Sequence, residues 1–119
     1  MRRFTELKVW ERSHQLVLKV CQLTAGFPRS EVFGLTSQLR RASVSVPANI
    51  AEGAKRRSQR DFAHFINVAE GSLSEVEYLL ALSRDLGYVS AADVEQTLGE
   101  TTQVLRMLAS LRRAVERSK

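Results

Sequence analysis

Apolar residues return every three or four positions through four stretches of this chain, and only a few residues separate one stretch from the next. That spacing is the helical period, and nothing alternates with period two for long enough to make a sheet. The first stretch carries Leu7, Trp10, His14, Val17, Leu18 and Cys21 and stops at Gly26, just before Pro28. In the second, Ser30 can cap a stripe of Val32, Leu35, Leu39, Ala42, Val46 and Ile50 that ends at Gly53. Ser58 followed by Asp61 opens the third, whose stripe runs Phe62, Phe65, Ile66, Ala69, Leu73, Val76 and Leu80 to a stop at Gly87. Ser90 and Asp93 repeat that device before Val94, Leu98, Thr101, Leu105 and Leu108. Helices are therefore predicted at about 6–25, 30–53, 58–86 and 90–115. Linkers this short cannot cross over, so each helix must run antiparallel to the one before it. The expected fold is all-α, an antiparallel up-down-up-down four-helix bundle forming one domain over residues 1–119.

Pro47 falls inside the second helix, where it removes one backbone hydrogen bond and pushes its ring toward the Ser43 carbonyl. The apolar stripe continues in phase across it, which predicts a kink and not a stop. The opposite side of this helix, with Val44, Ala48 and Ala51, is also small and apolar. Val68, Gly71, Tyr78 and Leu82 on the third helix, and Val9, Leu16, Val20 and Leu23 on the first, repeat the pattern. Helices apolar nearly all round are buried nearly all round, and one layer of four cannot bury them. A homo-oligomer is expected, with Val44, Ala48, Ala51, Val68, Gly71, Tyr78 and Leu82 at its interface.

Between those faces lie the polar residues of the second helix. Asn49 is expected to satisfy backbone opened by Pro47 or to reach a neighbouring helix, and Glu52 to pair with Arg56 one turn on. Pro47, Asn49, Glu52 and Gly53 together would bend and then end the helix. Just beyond stand Lys55, Arg56, Arg57 and Arg60, with Arg40 and Arg41 further back. Charge is one-sided along the chain: residues 1–60 hold 12 Lys and Arg against 4 acids, a net +8, and residues 61–119 hold 6 against 9, a net −3, giving +5 in all. A one-sided positive field suits a polyanion or an acidic partner. Bases are usually held by interleaved aromatics, but only Phe62 and Phe65 are near, and both belong to the core stripe. The expected contact is with backbone phosphates of RNA or DNA through Lys55, Arg56, Arg57, Arg60, Arg40 and Arg41, not with base edges.

The single cysteine, Cys21, excludes an internal disulfide and a zinc pair and is expected as a small buried hydrophobe. The opening "MRRFTELKVWERSH" mixes charge with apolar positions, and no stretch approaches 18 apolar residues. Neither signal peptide nor membrane span is expected, so the predicted location is cytoplasmic. Phosphate-binding glycine loops are absent, and His14 and His64 lie on different helices without a metal-binding or paired-carboxylate context. No metal, cofactor or catalytic residue is expected. One pattern points the other way: Arg57 and His64, with six residues between them at the start of a helix, resemble the motif of small helical ribonucleases of the HEPN type.

The segments "FPRSEVFGLTSQLRRASVSVPANIAEGAKRRSQRDFAHF" and "AEGSLSEVEYLLALSRDLGY" carry a further resemblance. They are similar to the four-helix-bundle proteins encoded in intervening sequences of bacterial 23S rRNA genes, and to the related accessory variability determinants of diversity-generating retroelements. The likeness runs from Phe4 to about Leu111, and NIAEG followed by GS-x-x-E is its most specific part. Cys21 departs from it, standing where the family usually has tyrosine. The resemblance implies a ring-like homopentamer with a basic surface. For the retroelement members it also implies binding to nucleic acid and to a reverse transcriptase. Three functions follow as expectations: a non-enzymatic RNA-binding bundle, an adaptor ring docking a protein such as a reverse transcriptase, or a HEPN-like ribonuclease.

Overall fold

The computed structural model describes residues 3–118, so Met1, Arg2 and Lys119 of the expected 1–119 domain lie outside the described residues. Four α-helices account for most of it: α1 (Lys8–Thr24), α2 (Leu35–Ala54), α3 (Gln59–Asp85) and α4 (Ala91–Arg117). Among the described residues there is no strand, and no helix is long and apolar enough to cross a membrane. Contacts between helices run in opposite numerical directions. Ser45 meets Ser72 while Gly53 lies against Phe65; Glu70 meets Arg112 while Glu77 meets Thr101. The helices are thus antiparallel in sequence order, in a body of 47 × 24 × 20 Å.

The last two helices begin as their sequences predict. Ser58 Oγ accepts the Asp61 amide at 3.0 Å and Ser90 Oγ accepts the Asp93 amide at 3.1 Å, each satisfying an amide that the first turn leaves without a carbonyl. The α3 chain reverses at Gly87, whose φ of +80° lies in the left-handed region that glycine tolerates. The start of α2 differs from expectation. Gly34 leaves helical geometry (φ −108°, ψ −112°), so a short 3₁₀ turn at Arg29–Glu31 comes first and the α-helix begins only at Leu35. Glu31, not Ser30, serves this end: its Oε1 accepts the Leu35 amide at 3.1 Å, and its Oε2 accepts the Tyr88 hydroxyl at 2.8 Å. Val32, placed in the core stripe by its spacing, is exposed as a result.

The Tyr88–Glu31 bond ties the α1–α2 and α3–α4 loops together and pushes the Tyr88 phenol above its ordinary value, because the neutral hydroxyl is the donor and Glu31 is anionic. A raised phenol contributes stability that is complete below about pH 10 and is lost as pH climbs through the raised value. Urea midpoints of the protein and of Tyr88→Phe should accordingly differ at pH 8 and draw together as the pH rises above about 10. A gap that stays constant would show that the bond adds nothing.

The core is built from the expected stripes of α2, α3 and α4, with Leu39, Val46, Ile50, Ile66, Leu73, Val76, Leu80, Val94 and Leu108 all fully enclosed. On α1 the expectation is reversed. Val9, Leu16 and Val20, assigned to the outer face, are buried, whereas Leu18 is exposed and Trp10, His14 and Cys21 are only half-buried. Both stripes of α1 are apolar, so periodicity alone did not choose between them; buried Ser13 and Thr24 fall in phase with the inner one. These and other buried hydroxyls bond carbonyls of their own helices: Ser13 to Trp10, Thr24 to Val20, Ser83 to Leu79 and Thr97 to Asp93, at 2.7–2.8 Å. A small hydroxyl satisfied this way can face a neighbouring helix without an unpaired polar atom. His14 stacks on Trp10 with ring centroids 5.2 Å apart and planes 6° apart. The α1–α4 seam is the smallest helix–helix interface; open grooves of about 400 and 510 Å³ flank it, and Arg12 Nη2 bridges it to Gln103 Oε1.

Candidate nucleic-acid interface

Because the helices alternate in direction, the end of α2, the start of α3 and the end of α4 gather at one end of the bundle. Lys55, Arg57 and Arg60 are exposed there and pair with no acid among the described residues. Arg56 is occupied. Its Nη2 lies 2.7 Å from Glu52 Oε2, the pairing expected from their spacing, and its guanidinium sits 4.9 Å above the Phe65 ring. Two exposed cations of α4, Arg113 and Arg117, join this end. Sequence reasoning passes them over because the second half of the chain is net acidic. The run "RRAVER" at the close of the last amphipathic helix is the signal that marks them.

Arg40 and Arg41 do not belong to the cluster. They lie about 15 residues back along α2, on the order of 20 Å at the helical rise. Arg40 instead joins α2 to α1. Its Nε donates to Thr24 Oγ1 at 2.7 Å and its Nη2 to the Cys21 carbonyl at 3.4 Å, setting a positive charge at the C-terminus of α1. Arg41 borders shallow grooves beside Val44, Ser45 and Glu75.

Of the residues expected to bend and end α2, Glu52 pairs as its spacing predicts, Asn49 takes the second of its two expected roles, a link toward a neighbouring helix, and Gly53 differs. Helix α2 is continuous through Pro47. Asn49 Nδ2 donates to the Ser45 carbonyl at 2.7 Å and to Ser45 Oγ at 2.9 Å, and that hydroxyl meets Ser72 Oγ of α3 at 2.8 Å. Asn49 thus anchors a polar link across to α3, and the Ser43 carbonyl that Pro47 leaves free is not its partner. Gly53 is not the terminator, since α2 runs one residue further to Ala54. It is buried, and a Cβ built there would stand 2.8 Å from Phe65 Cβ and 2.9 Å from Phe62 Cδ1. Only a residue without a side chain lets α2 and α3 approach this closely above the basic turn.

Between the first turns of α3 and the last turns of α4 opens a cleft of about 890 Å³. Arg57, Arg60, His64 and Asn67 line its α3 side, so the structure does bring Arg57 and His64 to one place. Across from them, Arg112 is held by Glu70, Nε to Oε1 at 2.6 Å and Nη2 to Oε2 at 3.4 Å, with Glu116 at 3.4 Å. The hydrogen bond and charge of Glu70 push the Arg112 guanidinium above its ordinary value. Removing this fork by Arg112→Met should cost about 1–3 kcal/mol, since Glu70 is left half-buried and unpaired. Urea denaturation at low salt would measure it, and a loss within about 0.5 kcal/mol, the usual surface range, would refute it.

The residues assigned to an interface divide in two. Val44 (48% exposed), Ala48, Val68, Gly71 and Tyr78 (64% exposed) are open on the outer sides of α2 and α3, whereas Ala51 and Leu82 are half-buried within the protomer. Among the described residues no cluster of His, Cys, Asp and Glu could hold a metal ion.

These features define a class: a small antiparallel four-helix bundle with a basic end and partly uncovered apolar flanks. Within that class the chain belongs to the 23S rRNA-intervening sequence protein family, whose model matches residues 5–110. It is also similar to a solved structure from Bacteroides thetaiotaomicron, a protein of unknown function from the S23 ribosomal protein family. The two are 25% identical and share a TM-score of 0.81, over 87% of this chain and 97% of that one. No curated protein matches the sequence.

Proposed function

We propose that this protein binds RNA without cleaving it, holding backbone phosphates at its basic end as a cytoplasmic accessory or chaperone protein. The observation that supports this best is the convergence of Lys55, Arg57, Arg60, Arg113 and Arg117, from three separate segments, on one end of the bundle. Phosphate neutralisation releases counterions, so affinity must fall steeply as salt rises. Titrating labelled single-stranded RNA at several salt concentrations should give a log–log slope of about −2 or steeper, roughly −0.7 per phosphate contact. A flat dependence would overturn the reading. The RNA should be recovered intact; cleavage that disappears in a folded His64→Ala variant would replace binding with a ribonuclease.

Self-association belongs to the same proposal, as a homo-oligomer and, on the family resemblance, a pentamer. The exposed Val44, Val68 and Tyr78 support it, and repeated basic ends would act on one strand at high effective concentration. Light scattering should return a multiple of 13.4 kDa, and Ala48→Glu should reduce it to the protomer with helix content unchanged. A monomer at micromolar concentration would refute this. The same exposed residues favour a second reading, an adaptor docking a protein partner such as a reverse transcriptase, whose binding would be nearly insensitive to salt.

A further inference from the structure

The basic end is not a uniform patch. Arg57 and Arg60 open into the α3–α4 cleft, whereas Arg56 turns back over Phe65 toward Glu52. The cleft volume of about 890 Å³ falls within the roughly 300–1,000 Å³ typical of small-ligand sites. Its chemistry is graded along its length. Arg57 and Arg60 supply positive charge at the mouth. One turn on, exposed His64 offers an imidazole ring, braced edge-on by Phe65 at 5.3 Å and 72°. Ala63 and, from α4, Val115 give the site apolar surface. One turn further, Asn67 brings an amide with two donors and an acceptor, and its side chain makes no hydrogen bond among the described residues. Arg60, His64 and Asn67 share a helix face at steps of four and three residues and span about 10 Å. Opposite them, Glu116 is the one acid of the wall among the described residues; its carboxylate lies 3.4 Å from Arg112 Nη1, on a guanidinium that Glu70 already holds at 2.6 Å.

Charge, then a flat ring, then a two-way hydrogen-bonding amide is the order of groups that a nucleotide presents: phosphate, the face of the base, and its polar edge. We propose that the α3–α4 cleft takes one unstacked nucleotide of a single-stranded RNA, with its phosphate on Arg57 and Arg60, its base against His64 and Val115, and its edge on Asn67. This rests on the basic end being an RNA site and adds to it a preference for single strands, because a base paired in a duplex cannot leave the stack to enter. It also departs from the expectation of phosphate contacts alone. That expectation counted only phenylalanines, and His64 serves in their place.

The test is competition against a labelled single-stranded RNA, read by fluorescence anisotropy at low salt. Nucleoside monophosphates should displace it at concentrations at least tenfold below those needed for inorganic phosphate or ribose 5-phosphate, the size of one base-stacking contact. Asn67→Trp, at an exposed position, fills the cleft without changing charge. It should lower single-strand affinity at least tenfold while leaving binding to a duplex of equal length within about twofold. His64→Ala should remove most of the advantage of the monophosphates over phosphate, a second reading of the same site should the tryptophan variant fold poorly. Monophosphates no better than phosphate, or folded Asn67→Trp with unchanged single-strand affinity, would overturn the nucleotide cleft and leave phosphate binding at the basic end standing. A wild-type protein that binds neither strand would overturn both.

Discussion

Reversing Arg57 and Arg60 to glutamate is expected to weaken RNA binding by at least an order of magnitude at low salt. Each reversal removes a cation that pairs with no acid among the described residues and puts an anion in its place. Arg56 is the poorer target despite its position, because part of its charge is already held by Glu52 at 2.7 Å. The salt slope should flatten as well, by roughly 0.7 for each single-strand phosphate that is no longer neutralised, so the variant and the wild type should draw together at high salt. Both residues are exposed, and the circular dichroism melt should hardly move. Equal affinities and equal slopes would reduce the turn to a solvated charged loop. If affinity fell but the slope did not, phosphate binding would be excluded as the cause.

The second large effect is expected from a pair of identical substitutions with opposite signs. Gly53→Ala should destabilise the protein by up to about 2 kcal/mol: the new methyl meets Phe65 Cβ at 2.8 Å and Phe62 Cδ1 at 2.9 Å, a cost of about 1–3 kcal/mol set against the roughly 1 kcal/mol gained in helix propensity. Phe65 Cβ lies too close to its own backbone to swing away, so relief requires the two helices to separate. Gly71→Ala meets nothing within 4 Å and should stabilise the protomer by about 0.5–1 kcal/mol through propensity alone. Both are best measured by urea unfolding on the Ala48→Glu background, chosen to remove any contribution from the proposed self-association. A Gly53→Ala that stabilises the protein as much as Gly71→Ala does would mean that α2 and α3 are not held at that separation.

How far the sequence could be read depended on which alternatives it contained. On α4 one stripe is apolar and the other faces polar, on α3 the long stripe from Phe62 to Leu80 outweighs the sparser outer one of Val68, Gly71, Tyr78 and Leu82, and each start carries a serine three residues before an aspartate; elements and caps were legible there. On α1 two stripes are apolar, and the choice between them is made by packing against α2 and α4, which periodicity does not encode. The α2 start failed for another reason: Glu31 caps from a turn outside the helix and is held there by Tyr88, 57 residues away. Gly53 looked like a terminator because glycine so often is one, and its actual role depends on two phenylalanines of another helix. Of the candidate site, the turn cations were visible as a run, but the cleft was not. It exists only where the end of α4 lies beside the start of α3, and its far wall comes from a part of the chain whose average charge is negative.

The narrow α1–α4 seam has a bearing on how the protein opens. Packed mainly against α2, with open grooves along its other side, α1 contributes the fewest buried apolar side chains of the four helices, Val9, Leu16 and Val20. Its amides should therefore exchange with deuterated water ahead of those in the middle of α2 and α3, through a local opening that leaves the other three helices paired. Folding would run in the reverse order, with each successive hairpin of α2, α3 and α4 closing over a short loop and α1 docking last.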